Sequence, residues 1–312
     1  MSTYLSAFMV ADFGHTTNED DENYNIFHIK SKAEQAKYAA SIGPSILEFY
    51  ESYFNLPYPL PKMDMAAIPD FGAGAMENWG LITYRETSLL FSPEETSAKA
   101  KQWITMVVAH ELAHQWFGNL VTMKWWNDLW LNEGFSSWIQ YIGVDHLQPE
   151  WRMMDQFFLD TVAPALDLDS LTTSHPISVE VKDPKEIEAI FDTISYKKGA
   201  SIIHMLERVV GEQTIRSGLS RYLKRHEFSN AVTNDLWTAI SDAWSSNKRY
   251  NFTVQELMDG WTLQMGYPLI VFDQQNDTNI YTIRQERYFQ AISVRFISMR
   301  SSKSRLIDLL CS

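Results

Sequence analysis

His110-Glu111-Leu112-Ala113-His114 sets two imidazoles four positions apart with a carboxylate between them. On a helix, positions i and i+4 share a face one turn apart, so both rings can reach a single ion. Zinc takes imidazole nitrogen at about 2.0–2.1 Å, and a catalytic zinc keeps one position free for water. Glu111 lies off that face, placed to act as general base on a water whose pKa the ion lowers to about 7. Two imidazoles do not complete a site. Glu133, 19 positions after His114, is the expected third ligand, early in a second helical pattern where a carboxylate can face the first. The implied cofactor is one zinc ion per chain. A pattern of the HExxH kind arises by chance in a chain of this size about once in a hundred. The added Glu on a following helix makes coincidence rarer. His15, His28, His146, His175, His204 and His226 lack ligand spacing and read as structural or surface residues.

The elements that must hold these residues have two textures. Up to about residue 90, strand-like runs surround one helix. Residues 25–30 and 79–85 alternate apolar and polar, and 63–68 is a further strand. Residues 32–54 carry Ala39, Ile42, Ile46, Phe49 and Tyr50 at helical spacing, with Pro44 predicting a kink or a break. From Ser97 the pattern is mostly helical. Ser97 is the expected cap of a helix running to Phe117, with Gly118-Asn119 as its stop. A second helix starts near Asn127-Asp128, and others are predicted at 151–161, 199–210, 214–226, 233–245 and 254–265. Trp125, Trp126 and Trp130, between the two metal-binding helices, read as core packing. After Gly266, residues 267–272 and 280–283 look like strands of a new element too short to close a β-domain, and 301–312 shows no period.

Composition narrows the partners. The chain has 312 residues, 45% of them hydrophobic, enough for a sizeable core and roughly two domains. Acidic residues outnumber basic ones 39 to 26, a net charge of −13, which argues against nucleic acid because phosphate binding needs clustered Lys and Arg. Glu19-Asp20-Asp21-Glu22 lacks the spaced ligands of a calcium loop and reads as solvated. Cys311 is the only cysteine, so no internal disulfide forms, and the compartment stays open. No apolar stretch approaches the ~20 residues of a membrane span, and the first residues lack a basic leader region. A soluble chain without a membrane segment is expected.

Three motifs in chain order carry a resemblance. They are Gly74-Ala75-Met76-Glu77-Asn78, then the HExxH pair with Glu133 eighteen residues further on, then the run from Phe191 through Asp192 and Tyr196 to Ala200. Together they resemble the gluzincin aminopeptidases of the aminopeptidase N type, with similarity from about Thr3 to Phe289. The resemblance implies an α+β, thermolysin-like zinc peptidase catalytic domain, a mixed β-sheet lobe plus a helical lobe, with remnants of flanking β-domains. Residues 1–12 would end an N-terminal β-domain, 13–266 form the catalytic domain, and 267–312 begin a β-sandwich and a divergent tail. It implies hydrolysis of the first peptide bond of peptides with a free amino terminus. Within the five-residue substrate-binding motif, Glu77 would hold the α-amino group. Gly74 and Ala75 would offer backbone groups, and Met76 would line the first side-chain pocket beside Asn78. Tyr196 would stabilise the tetrahedral oxyanion together with the metal.

The chain also departs from the family's pattern. Most of the N-terminal β-domain, which contributes a second group to amine binding, and the large C-terminal helical domain are expected to be missing. The stretch after Phe289 looks unlike the family, as a splice or gene-model artefact would leave it. Surfaces that normally pack on those domains would favour association. Gln140, seven residues after Glu133 on the same helical face, stands where many members have Glu. Gln keeps an acceptor without the charge, and changes behind a metal ligand can cost about 10–100-fold in affinity or activity. Family members are commonly membrane-anchored or extracellular ectoenzymes, though cytoplasmic ones exist. Asn251-Phe252-Thr253 and Asn276-Asp277-Thr278 match glycosylation triplets. Two other readings stay open: a truncated, catalytically silent isoform that binds peptides or partner chains, and a zinc endopeptidase.

Overall fold

The computed structural model describes residues 1–244, 252–274 and 281–290. Asn251, the triplet at 276–278, Cys311 and the tail after 290 lie outside the described residues. The first half builds a five-stranded mixed sheet from β1 (Gly14–Thr17), β2 (Tyr24–His28), β3 (Met63–Ile68), β4 (Ala75–Met76) and β5 (Leu81–Arg85), in the order β1-β2-β3-β5-β4. β2, β3 and β5 run parallel in the middle, and β1 and β4 are antiparallel at the edges. Tyr24, Ile26 and His28 alternate inward along β2, as a strand with one covered face requires.

The long α1 (Ala33–Phe54) runs unbroken through Pro44, against the expected kink or break. Proline removes the amide that would bond the carbonyl four residues back, here Ala40. The Asn18 amide donates to that oxygen at 2.8 Å and satisfies it from outside the helix. Next to the proline, a Cβ on Gly43 would lie 1.9 Å from the Tyr24 hydroxyl, so the missing side chain is what lets the ring enter.

The second half is mostly helical. It comprises α2 (Ala98–Ala113), a short strand β6 (Val121–Met123), α3 (Trp130–Leu147), α4 (Met153–Phe157) and α5 (Ala163–Asp169). Then follow α6 (Gly199–Val210), α7 (Glu212–His226), β7 (Ser229–Ala231), α8 (Thr233–Trp244) and α9 (Val254–Thr262). A hairpin of β8 (Pro268–Gln274) and β9 (Tyr281–Arg287) closes the described chain. Ser97 caps α2 by accepting from Ala100 N. α2 ends four residues before Phe117, because Gln115 N and Trp116 N bond only three residues back and Gly118, at φ +126°, turns the chain into β6. The helix expected at 151–161 begins after Arg152, at φ +50°, and continues through a wide turn into α5. Trp130 is buried as expected, but Trp125 is 53% exposed and uses its indole N–H to bond Val181 O at 2.9 Å.

One apolar cluster joins both halves, from Tyr24 and Ile82 of the sheet through Trp116 and Trp138 to Trp237 and Met258. No helix among the described residues is long and apolar enough to cross a membrane.

Candidate active site

α2 and α3 pack side by side and bring His110, His114 and Glu133 together as the spacing predicted. Glu133 Oε2 lies 3.2 Å from His110 Nε2 and 3.3 Å from His114 Nε2, and the two Nε2 atoms are 3.0 Å apart. Ligands held at about 2.0–2.1 Å around a tetrahedral ion stand about 3.3 Å from one another. The donor set has that spacing.

The second ring nitrogens settle the tautomers. His110 Nδ1 donates to Gln140 Oε1 at 2.8 Å, and His114 Nδ1 donates to Phe117 O at 2.9 Å, with Ser136 Oγ at 3.0 Å. A carbonyl only accepts, so each Nδ1 carries a proton and each Nε2 is the atom left to take a metal, turned toward the other Nε2 and the carboxylate. With both Nε2 atoms unprotonated, these three atoms within 3.3 Å suit a shared cation. Glu77, Glu111 and His114 form a second cluster with donor atoms within 4.8 Å of one another. Burial lowers the pKa of His114, but the Glu77 and Glu133 carboxylates outweigh it and raise the ring above its ordinary value. Burial pushes Glu133 up, yet the His114 charge and its imidazole hydrogen bonds pull it below the usual carboxylate range. The residues present fit zinc in number, type and spacing.

Gln140 answers to the geometry of an orienting residue. α3 carries Glu133, Ser136 and Gln140 on one face, at i, i+3 and i+7, so one helix supplies the third candidate donor and supports both imidazoles. The start of α3 is fixed by a buried chain of bonds: Trp130 Nε1 donates to Thr233 Oγ1 at 3.0 Å, which donates to Asp128 Oδ1 at 2.7 Å.

Glu111 is buried, and its Oε2 has no hydrogen-bond partner among the described residues. Burial raises its pKa well above the ordinary carboxylate value, with Glu77 and Glu133 adding to the effect against the His114 charge. A basic oxygen beside the donor set, free of other partners, suits a proton acceptor.

Tyr196 sits on a wide turn, Ile194–Lys198, that runs straight into α6. Its ring lies nearly parallel to His110, with centroids 6.0 Å apart, and its hydroxyl faces Glu133. Burial raises its pKa well above 10, so the phenol keeps its proton as a donor. What brings this turn to Glu133 is a pair of glycines. A Cβ on Gly199 would stand 3.1 Å from Gly134 Cα, and one on Gly134 would stand 3.1 Å from Gly199 Cα. Only the bare backbones let α3 and α6 approach so closely.

Glu77 is buried, and burial raises its pKa. Asn119 Nδ2 donates to Glu77 O at 2.8 Å and anchors this loop to the turn after α2. Gly74 and Ala75 line a cleft of about 810 Å³ shared with His110, Glu111, Gln140 and Tyr196. Met76 pairs with Thr83 in the edge of the sheet. Asn78 turns into the fold: its Oδ1 accepts from Thr83 Oγ1 at 2.9 Å and its Nδ2 lies 3.5 Å from Leu5 O.

Sequence reasoning missed Tyr4, Asn119 and Ser136. The Tyr4 hydroxyl accepts from Asn132 Nδ2 at 3.1 Å, and burial plus the Glu77 and Glu133 charges raise its pKa. Its ring packs on Trp126 at 5.2 Å. The helical period from Glu133 could have found Ser136; nothing local marks Tyr4 or Asn119.

The Peptidase family M1 domain matches residues 38–261. The chain is 49% identical over 290 residues to glutamyl aminopeptidase of Bos taurus, covering 92% of this chain and 29% of that protein. It is 50% identical over 272 residues to aminopeptidase M1 of Arabidopsis thaliana, with 86% and 30% covered. With endoplasmic reticulum aminopeptidase 1 of Homo sapiens the identity is 43% over 313 residues, with 93% and 33% covered. The chain thus spans about a third of the length of these curated relatives. With the family's domain matched across well over half the chain, and that match enclosing the two imidazoles, their carboxylate and the phenol, the chain belongs to peptidase family M1.

Proposed function

We propose that this chain carries the catalytic machinery of a zinc-dependent aminopeptidase, which removes single residues from peptides with a free amino terminus. In this reading 13–266 is a thermolysin-like catalytic domain, 1–12 ends a preceding β-domain and 267–312 begins a following one. The relatives' names, each an aminopeptidase, support it. The observation that carries it is Glu77. This buried carboxylate has its oxygen within 4.8 Å of the His114 and Glu111 donor atoms, close enough to fix a substrate's ammonium group one residue from the reacting carbonyl.

His110, His114 and Glu133 would hold zinc, with Gln140, Phe117 O and Ser136 fixing the imidazoles. When bound, zinc polarises the scissile carbonyl and makes a nucleophilic water available near neutral pH. Glu111 takes a proton from the attacking water and passes it to the departing amine. Its raised pKa favours the first half of that transfer, the uptake of the proton. Tyr196 O–H donates to the oxyanion as the carbonyl carbon becomes tetrahedral. Glu77 accepts from the substrate's α-ammonium group, whose charge offsets the burial that otherwise disfavours the carboxylate. Gly74 and Ala75 offer backbone groups to an extended peptide.

The test is a pair of substrates that differ only in their amino end. A free aminoacyl chromogenic substrate should be cleaved, and cleavage should stop with a zinc chelator or with Glu111→Gln. The N-acetylated form should resist cleavage by at least ~100-fold, because Glu77 then faces a neutral amide. Equal cleavage of both forms would replace this reading with an endopeptidase. Stoichiometric zinc with no cleavage of either would replace it with a silent peptide-binding fragment.

A further inference from the structure

Tyr196 occupies a single wide turn, and one short strap of chain grips that turn at both ends. Ahead of it, Asp192 Oδ1 accepts from the amides of Ile194 at 3.0 Å and Ser195 at 3.1 Å, and Tyr196 N donates to Asp192 O at 3.1 Å. The amides of a first turn have no partner within the helix, so this carboxylate supplies one. Its other oxygen, Oδ2, accepts from His175 Nε2 at 2.8 Å. His175 Nδ1 lies 2.7 Å from Pro176 O. Neither acceptor carries a proton, so only the doubly protonated ring makes both bonds at once. Behind the turn, Lys198 Nζ pairs with Asp169 Oδ2 at 2.8 Å, and Asp169 Oδ1 accepts from Ser174 Oγ at 2.6 Å. Residues 169–176 therefore hold both flanks of Tyr196, by Asp169 on one side and His175 on the other.

A wide turn is held less well by its own bonds than an α-helical one. Relaxing it to α-helical spacing would carry the phenol around the axis by some part of the roughly 100° that one residue spans. We propose that His175 and Asp192 form a positioning pair that fixes the amino end of this turn and so holds the Tyr196 hydroxyl toward Glu133. The inference rests on the role given to Tyr196 above. His175 is a positioning residue, acting through Asp192 without touching the donor set.

The experiment uses the zinc-loaded full chain with His175→Gln, Asp192→Asn, Tyr196→Phe and the double variant H175Q/Y196F. Asp192→Asn keeps Oδ1 as the cap and removes only the acceptor facing His175, so it separates the pair from the cap. His175→Gln and Asp192→Asn should each lower kcat by about 10–100-fold with KM within twofold and zinc content unchanged. Hydrogen exchange of the 194–198 amides should quicken in both. In the Tyr196→Phe background, His175→Gln should change kcat by less than about twofold, since the group it positions is gone. Equal losses in both backgrounds, or unchanged exchange, would overturn the pair and leave Tyr196 in its role. A Tyr196→Phe variant with wild-type kcat would overturn that role and the pair with it.

Discussion

The closeness of α3 and α6 is the feature that puts a phenol beside the Glu133 carboxylate, and Gly199→Ala tests it. The added Cβ would sit 3.1 Å from Gly134 Cα, where ordinary contact begins at about 3.4 Å and extends to 4 Å. The atom it meets is backbone, so no flexible side-chain end can swing aside. The helices must part by roughly 0.3–0.9 Å. Overpacking of this kind costs about 1–3 kcal/mol, and the better helix propensity of alanine returns about 1 kcal/mol. The net cost is therefore about 1 kcal/mol, which lowers Tm by some 2–4 °C for a chain of this size. Activity should suffer more. Glu133 adjoins Gly134 and Tyr196 lies one turn before Gly199, so the same displacement separates hydroxyl from carboxylate. A misplacement near 1 Å costs up to ~100-fold, so kcat should fall by about 5- to 50-fold. Calorimetry, zinc content and kcat on a free aminoacyl substrate measure the three effects. Gly260→Ala is the control: a Cβ there meets nothing within 4 Å, so Tm should hold or rise slightly and kcat should not move. Wild-type kcat in Gly199→Ala would refute the claim that this glycine contact sets the site.

Three further outcomes follow from other parts of the molecule. Gln140→Ala removes the acceptor that faces His110 Nδ1 at 2.8 Å and should weaken zinc binding by about 10–100-fold, whereas Gln140→Glu should tighten it; competition with a fluorescent chelator reads both, and equal affinities would contradict the orienting role. Asn18→Ala strands the Ala40 carbonyl beneath Pro44 and should cost about 1–3 kcal/mol in urea unfolding, with much of the loss recovered by Pro44→Ala, which restores the helical amide; no recovery would mean the carbonyl is not the cause. His175 is held above the ordinary histidine value by its bond to Asp192, against burial and, to a smaller extent, the charge of Lys198, which is itself paired with Asp169. The stability it contributes is complete below about pH 6.5 and is lost as pH rises through the raised value, so wild-type Tm should fall more between pH 6 and 8 than that of His175→Gln. Parallel curves for the two proteins would exclude this contribution.

The parts of the site that were legible in the sequence are those fixed by local geometry. His110 and His114 share a helical face because of the 3.6-residue period, and the same period sets Gln140 on the face of Glu133. Ser97 and Gly118 mark the ends of the α2 region by chemistry that operates within a few residues. Several misses depend on distant partners. Pro44 predicted a break because nothing nearby reveals that Asn18, 26 positions upstream, satisfies the freed carbonyl. Asn119 reaches Glu77 O across 42 positions, and Tyr4 reaches Asn132 across 128. His175 read as a structural or surface residue because its partner Asp192 comes beside it only through folding. Trp125 was expected in the core with its neighbours, yet an indole can place its N–H on a carbonyl and leave its ring in water. Nor does a glycine in a helix announce the second glycine that it faces.

The central claim is that one zinc ion is held by two imidazoles and a carboxylate drawn from two helices. Zinc K-edge X-ray absorption on the purified chain tests it most directly, combined with metal content. One zinc per chain is expected, with two imidazole and two oxygen scatterers at about 2.0–2.1 Å, and the signal should disappear in His114→Ala and Glu133→Ala. Retention of full zinc by Glu133→Ala, or a shell with fewer than two imidazoles, would contradict the account.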